Sequence, residues 1–360
     1  MRRTSNQHYE VHELLRQFAL DQLTPATPLQ ALQARHAAYY CAFLQQRTAH
    51  LRGGGQLVAL REIDHELENI RLAWEWALST NALELIGQAS EGLFLFYDIR
   101  SRFQEGETRF QQALSRLQAA PGQPDQTLVL ARLQARRGWF LWHLGQPAAS
   151  RTALEASLRQ LQALQAAPET IFNLNYLGAV ARHRGEYAQA RHHLEQALTI
   201  AERTSDQWSA SVALNILGQV ASLQGEYDLA RSLCSQSLLI KREIDDRWGM
   251  AFSLIYLGRV EQALGNYAAA EGLFQESLEL SRLFEDRRGI GFASQNLADT
   301  AFLSGAYGQA QTLYQASLQS YQEIGVRQDI SLAWTKLGEV AVAMEDWPTA
   351  RTAFRNALRI

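Results

Sequence analysis

The sequence predicts an all-α protein, a solenoid of stacked helix pairs behind a helical front segment. Three observations predict it. A 40-residue unit recurs five times without a gap between residues 174 and 360. Within each unit apolar residues return at helical spacing, not in the alternation of a strand. No proline occurs between Pro168 and Pro348, and no run there reads as a strand with turns.

The units begin at Leu174 (LNYLGAVARHRGEYAQARHHLEQALTI), Leu214 (LNILGQVASLQGEYDLARSLCSQSLLI) and Leu254 (LIYLGRVEQALGNYAAAEGLFQESLEL). They continue at Ser294 (SQNLADTAFLSGAYGQAQTLYQASLQS) and Trp334 (WTKLGEVAVAMEDWPTARTAFRNALRI). Repetition at a period of this length is the signature of a solenoid. In one unit Leu214, Leu217 and Ala221 form an apolar helical stripe, and Gly218 lets another helix approach. Gly225 ends the first helix and a second follows, with Ala230, Cys234 and Leu238 as its stripe. Ala190, Ala230, Ala270, Ala310 and Ala350 hold the crossing point of the pair. Tyr187, Tyr227, Tyr267, Tyr307 and Trp347 follow the turn. A single pair cannot bury its apolar face, so each must stack on its neighbours. Phe274, Tyr314 and Phe354 are expected in that core.

This spacing resembles the tetratricopeptide repeat. Gly218, Ala230 twelve residues later and Cys234, where a Phe is usual, match that pattern. The usual period is 34 residues. The six extra residues here, with KREIDDRWG in place of a late proline, lead to the expectation of a longer second helix. Forty-residue versions are similar to the repeats of peptide-binding scaffolds that orient the mitotic spindle and of bacterial regulators. The resemblance implies a right-handed superhelix. Two weaker copies precede the clean ones: GWFLWHLGQPAASRTALEASLRQL, with Gly145 and Ser150 at the key positions, and LFLFYDIRSRFQEGETRFQQALSRL, with Gly106. About seven helix pairs are therefore expected from residue 82 onward, 82–168 degenerate and 169–360 regular. The last copy ends without a polar capping helix, which leads to the expectation that the natural chain continues.

The front has its own signatures. YEVHELLRQFALDQL, residues 9–23, is similar to the last helix of the winged-helix domain of signal-transduction ATPases with numerous domains, the STAND class. There a Met-His-Asp motif opens the helix and its His touches the β-phosphate of ADP. Val11, His12 and Glu13 occupy those positions, so the resemblance carries over His12 alone as a nucleotide-sensing residue of a full-length protein. Residues 1–24 would end that domain. Residues 29–81 would form a helical adaptor, on the match of Glu66, Asn69, Arg71, Ala73, Trp74 and Trp76 to the segment joining the winged helix to the repeats. A nucleotide-binding domain is then expected in cis, outside this chain. The chain has no G-x-x-x-x-G-K-(S/T) loop of its own.

Composition bounds the function. The 360 residues carry a formal net charge of −3, which gives no pull toward nucleic acid. Two distant cysteines, Cys41 and Cys234, suit a reducing cytoplasm and give no disulfide framework. No apolar run approaches the roughly 20 residues that span a bilayer. RGGGQL at 52–57 reads as a flexible turn, and DHELE at 64–68 as a solvated helix face. His192 and His193 are adjacent and diverge around a helix, so they share no metal. No catalytic set, cofactor or metal site is expected, and the chain is read as a non-enzyme.

A ligand would bind the concave side, lined by the first helix of each pair. The resemblance implies contacts from Phe172, Asn175, Arg182 and His183, then Asn215, Gln219 and Ser222. Phe252, Arg259 and Gln262 follow, then Phe292, Gln295, Asp299 and Phe302, and finally Thr335 and Glu339. Such amides suit the backbone of an extended peptide. The expected function is a protein- or peptide-binding sensor controlling a STAND switch. The alternative is a free-standing scaffold without nucleotide linkage.

Overall fold

The computed structural model describes residues 2–3, 9–10, 29–119 and 126–360. Arg2–Arg3 pairs antiparallel with Tyr9–Glu10. All other regular structure among the described residues is helical. The expectations for the rest of 1–24, His12 included, lie outside the described residues.

Three front helices, α1 (Leu29–Leu51), α2 (Gln56–His65) and α3 (Leu67–Ser79), precede seven helix pairs. The pairs are α4 (Leu83–Ile99) with α5 (Phe103–Ala119), α6 (Gln126–His143) with α7 (Pro147–Ala163), and α8 (Ala167–His183) with α9 (Tyr187–Thr204). Then come α10 (Gln207–Leu223) with α11 (Tyr227–Glu243), α12 (Arg247–Ala263) with α13 (Tyr267–Leu283), α14 (Arg287–Leu303) with α15 (Tyr307–Ile324), and α16 (Arg327–Ala343) with α17 (Trp347–Leu358).

Local chemistry sets these limits. Asp206, Asp246, Asp286 and Asp346 cap α10, α12, α14 and α17, each accepting from the backbone N–H three residues on. That satisfies one of the free donors at a helix start. Gly225 ends the α10–α11 turn at φ 81°, a conformation that strains a side chain. At the crossing, a Cβ on Gly218 would stand 2.5 Å from Cys234 Sγ, so only glycine lets the two helices touch. Ala230 is fully buried beside it.

Two expectations need correction. The six extra residues do not lengthen the second helix alone, since α10 and α11 are both 17 residues long. The KREIDDRWG segment contains the turn at Asp245 and the cap Asp246, so it starts the next first helix as well as ending the second. Of the three aromatics expected in the core, Phe274 and Tyr314 are buried, but Phe354 is 36% exposed, because its helix α17 belongs to the last pair of the stack and no further pair covers it.

The stack also closes on itself. The 52–57 stretch is a docking element, not a spare turn. A Cβ on Gly53 would come 2.7 Å from the Ile244 carbonyl oxygen. Buried Gln56 donates to Asp246 Oδ1 at 2.8 Å and accepts from the Trp248 backbone N–H at 3.0 Å. Ser101 donates to Asp286 Oδ1 at 2.8 Å, and Arg100 to the Phe284 carbonyl at 3.0 Å. These bonds bring the start of α2 and the α4–α5 turn onto the starts of α12 and α14. The DHELE stretch likewise is not all solvated: Glu66 is buried and accepts from the Tyr40 hydroxyl at 2.9 Å.

Candidate ligand cavity

Because the front docks onto α12 and α14, the concave side becomes a cavity of about 270 Å³. Its wall comes mostly from first helices. α4 gives Asp98; α6 gives Trp139, Trp142 and His143; α8 gives Tyr176, Ala179, Arg182 and His183. α10 gives Trp208, Val212, Asn215, Ile216 and Gln219; α12 and its cap give Trp248, Phe252, Tyr256 and Asp246. Arg288, Phe292, Gln328 and Asp329 come from α14 and α16, and Lys241 from the end of α11.

Arg288 organises one side. It is buried, with Nη1 2.7 Å from His143 Nε2 and 3.5 Å from Asp98 Oδ1. Its guanidinium lies 4.7 Å from the Phe252 ring centre. Burial, with Arg288 adding, holds His143 well below the ordinary histidine range, so the neutral ring accepts a hydrogen bond from Arg288. Burial raises the Asp98 carboxyl, and Arg288 opposes that rise. Trp139 Nε1 donates to Asp98 at 3.0 Å, and the Trp139 ring lies 4.0 Å from Tyr176. At the floor, Lys241 and Asp246 form a buried pair at 3.0 Å. Trp248 Nε1 donates to Asp286 at 2.9 Å.

Other polar groups on the wall are unmet. Arg182 makes no hydrogen bond or ion pair from its side chain among the described residues, and its Nε is buried. Burial pulls its pKa down, the nearby Arg259 acts in the same direction, and Tyr256 and Tyr187 oppose them. Trp208 Nε1, Asn215 Oδ1 and Gln219 Oε1 are buried without a partner among the described residues. Asp329 has no hydrogen bond of its own there; burial lifts its carboxyl to about 6 against the pull of Arg288.

Six of the residues expected on the concave face line this cavity: Arg182, His183, Asn215, Gln219, Phe252 and Phe292. Phe172 is instead packed between Phe94 and Tyr176, and buried Asn175 gives its amide to the Ser209 carbonyl at 3.1 Å. Gln262 bonds Thr300, Gln295 accepts from Tyr321, and Asp299 accepts from Tyr314. Thr335 bonds back to Ser331, Glu339 pairs with Lys336, and Phe302 stacks near Tyr307. Ser222 and Arg259 are not part of the cavity wall.

Sequence reasoning missed the tryptophans, Tyr176, Tyr256 and Arg288. A signal was present in the repeat columns. Trp208, Trp248, Arg288 and Gln328 are spaced 40 apart, and all four line the cavity.

The architecture is that of a repeat protein whose concave face encloses a cavity. The tetratricopeptide repeat family model matches residues 129–203, 208–283 and 249–323, more than half of the chain. The chain belongs to the tetratricopeptide repeat family. No curated protein matches it significantly. Among solved structures it is similar to the Rap conjugation gene regulator of plasmid pLS20 in complex with the Phr* peptide. That match has 14% identity and a TM-score of 0.62, and covers 91% of this chain and 96% of that one. A Rap protein complexed with competence and sporulation factor matches at 12% identity and TM-score 0.58, covering 91% and 97%. A STAND protein with a tetratricopeptide repeat sensor, PH0952 from Pyrococcus horikoshii, matches at 14% identity and TM-score 0.59. It is covered over 50% of its length by 95% of this chain. At these identities the likeness is one of fold. No described helix is long and apolar enough to cross a membrane.

Proposed function

We propose that this chain is a ligand-binding sensor module that takes a peptide in its concave cavity and, in cis, controls a STAND-type nucleotide-binding half in the cytoplasm. The carrying observation is the cavity itself, aromatic-walled and studded with unmet polar groups on α8 and α10. Apolar walls with a few convergent polar groups are what ligand sites look like. A solved relative in fold that holds a peptide, another complexed with competence and sporulation factor, and one described as a STAND protein with a tetratricopeptide repeat sensor support the same reading. The function is recognition, with no bond made or broken.

Selection of a random peptide display library against the purified chain tests the peptide half of this reading. Selected peptides should bind wild type, and Phe252→Ala should weaken them about tenfold or more. Binders indifferent to Phe252 and Trp248 would move the site elsewhere. The STAND half is tested separately, on the natural full-length protein. His12→Ala should lower the ADP that co-purifies with it; equal occupancy would leave a scaffold without nucleotide linkage.

A further inference from the structure

A guanidinium inside a folded protein almost always has an anionic or carbonyl partner, because a desolvated charge left alone is costly. The two buried arginines among the described residues obey that rule, whereas Arg182 is half-buried, with its Nε shut off from solvent. Arg136 is held by Glu91 and Glu169, and Arg288 by Asp98 and His143. Arg182 has no such partner among the described residues, and it sits on the cavity wall with a second cation, Arg259, nearby. The missing counter-charge belongs to whatever enters the cavity.

The surroundings narrow that group. The cavity wall that Arg182 shares is rich in aromatics, among them Trp142, Trp208, Phe252 and Tyr256. Stacking and edge contacts with a ring are favoured there. Phosphate is disfavoured. Asp98 and Asp246 are already matched by Arg288 and Lys241. Arg182 is then the one wall cation without a partner among the described residues, and a dianion would keep a charge unmatched on a wall that also carries Asp329. A monoanion is matched by Arg182 alone. The space of about 270 Å³ lies at or below the small end of ligand pockets and does not admit a whole helix.

We propose that the cavity recognises a carboxylate adjoining an aromatic ring, the carboxylate held by Arg182 and the ring packed among Trp142, Trp208, Phe252 and Tyr256. Two sources carry this chemistry, a free aromatic acid and the C-terminal residue of a peptide. The inference rests on reading the cavity as a ligand site, and the following experiment separates the two.

Four probes are titrated at pH 7.5 by calorimetry and by tryptophan fluorescence, which reports the tryptophans of the wall. They are N-acetylphenylalanine, its amide, tetra-alanyl-phenylalanine and its amide. Each acid should bind about tenfold or more tighter than its amide, since only the acid gives Arg182 a charged partner. Arg182→Gln should abolish that preference, and Arg182→Lys should restore part of it. Arg182→Gln should also leave the thermal midpoint of the free protein unchanged or higher, because no native partner is lost. A purely structural arginine would behave in the opposite way. Binding of both acids points to the free compound, and binding of the longer one alone to a peptide terminus; either supports the proposal. Acids and amides binding alike, no probe binding, a preference that survives Arg182→Gln, or unfolding of that variant would each overturn it. If display-selected peptides bind without any carboxylate preference, this inference fails and the peptide-sensor reading stands. If only N-acetylphenylalanine binds, the reverse holds.

Discussion

The front of the molecule and its five regular repeats solve the same packing problem differently. From Cys41 to Tyr176, one continuous buried cluster runs through Phe94, Phe110 and Phe140 and takes in Trp248, Phe284 and Val326 from across the turn. The regular repeats carry small separate clusters, each bridging neighbours, such as Ala190, Leu194, Leu217 and Val220. Ile255, Phe274 and Leu297 form another. The front also buries ionic groups. Arg136 is held between Glu91 and Glu169, and although burial pushes the Glu91 carboxyl up, Arg136 and Arg52 overcome that and bring it to about 2. The comparison teaches that periodic sequence supplies nearest-neighbour stability, whereas irregular sequence supplies the long-range closure that turns a groove into a cavity.

Breaking the front should therefore have the largest and least local effect. Arg136→Ala takes the shared partner from two carboxylates, leaving Glu91 to Arg52 and Glu169 to Arg132, and should destabilise by about 3 kcal/mol. Hydrogen exchange should rise together in α4, α6 and α8; a change confined to α6 would contradict the single-core description. In the regular half, Ala230→Arg drives a charged chain into a fully buried crossing. Overpacking alone costs about 1–3 kcal/mol, and the unpaired charge adds to it. Exchange should rise in α10 to α13 and leave α1 to α5 protected.

The cavity wall is where the regular half is not optimised for stability. Folding raises the Asp329 carboxyl to about 6 from an ordinary 3.8, so the folded chain binds a proton more readily than the unfolded one. Its contribution to stability is greatest at low pH and falls as pH rises between about 4 and 6. Asp329→Asn should thus stabilise the protein by roughly 2 kcal/mol at pH 7 and hardly at all at pH 4. Denaturation at the two pH values measures this directly, and an equal gain at both would deny the burial effect.

The seam between the two halves comes next. Gln56→Ala removes the amide that bridges Asp246 and Trp248. It should cost about 1–3 kcal/mol and loosen α2 and the start of α12 together. The emission of Trp248 would report whether the cavity opens. The smallest effect is expected at Asp228→Arg, exposed two residues before Ala230, which should shift stability by less than about 0.5 kcal/mol. An effect matching that of Ala230→Arg would mean that the helix faces are wrongly assigned.

The sequence by itself determined the helix pairs, their register and their number. Each of those rests on local or nearest-neighbour physics repeated at a fixed spacing. Ala190 through Ala350, Gly218 and Gly225 do in the structure what their positions demand. The concave face was legible only in part. Arg182, Asn215 and Phe252 stand on it, but Phe172 and Asn175 occupy equivalent faces and are covered by neighbouring residues. Only the tertiary structure decided that covering, which sets Phe172 against Phe94 and Asn175 against Ser209. Only it decided the closure too, which depends on contacts across some 190 residues, such as Gln56 with Asp246, that no periodic pattern encodes. Closure is a property of how much each pair rotates on the last, summed over the stack. Small angles that leave no mark in any one repeat bring Gly53 against Ile244 and make the cavity.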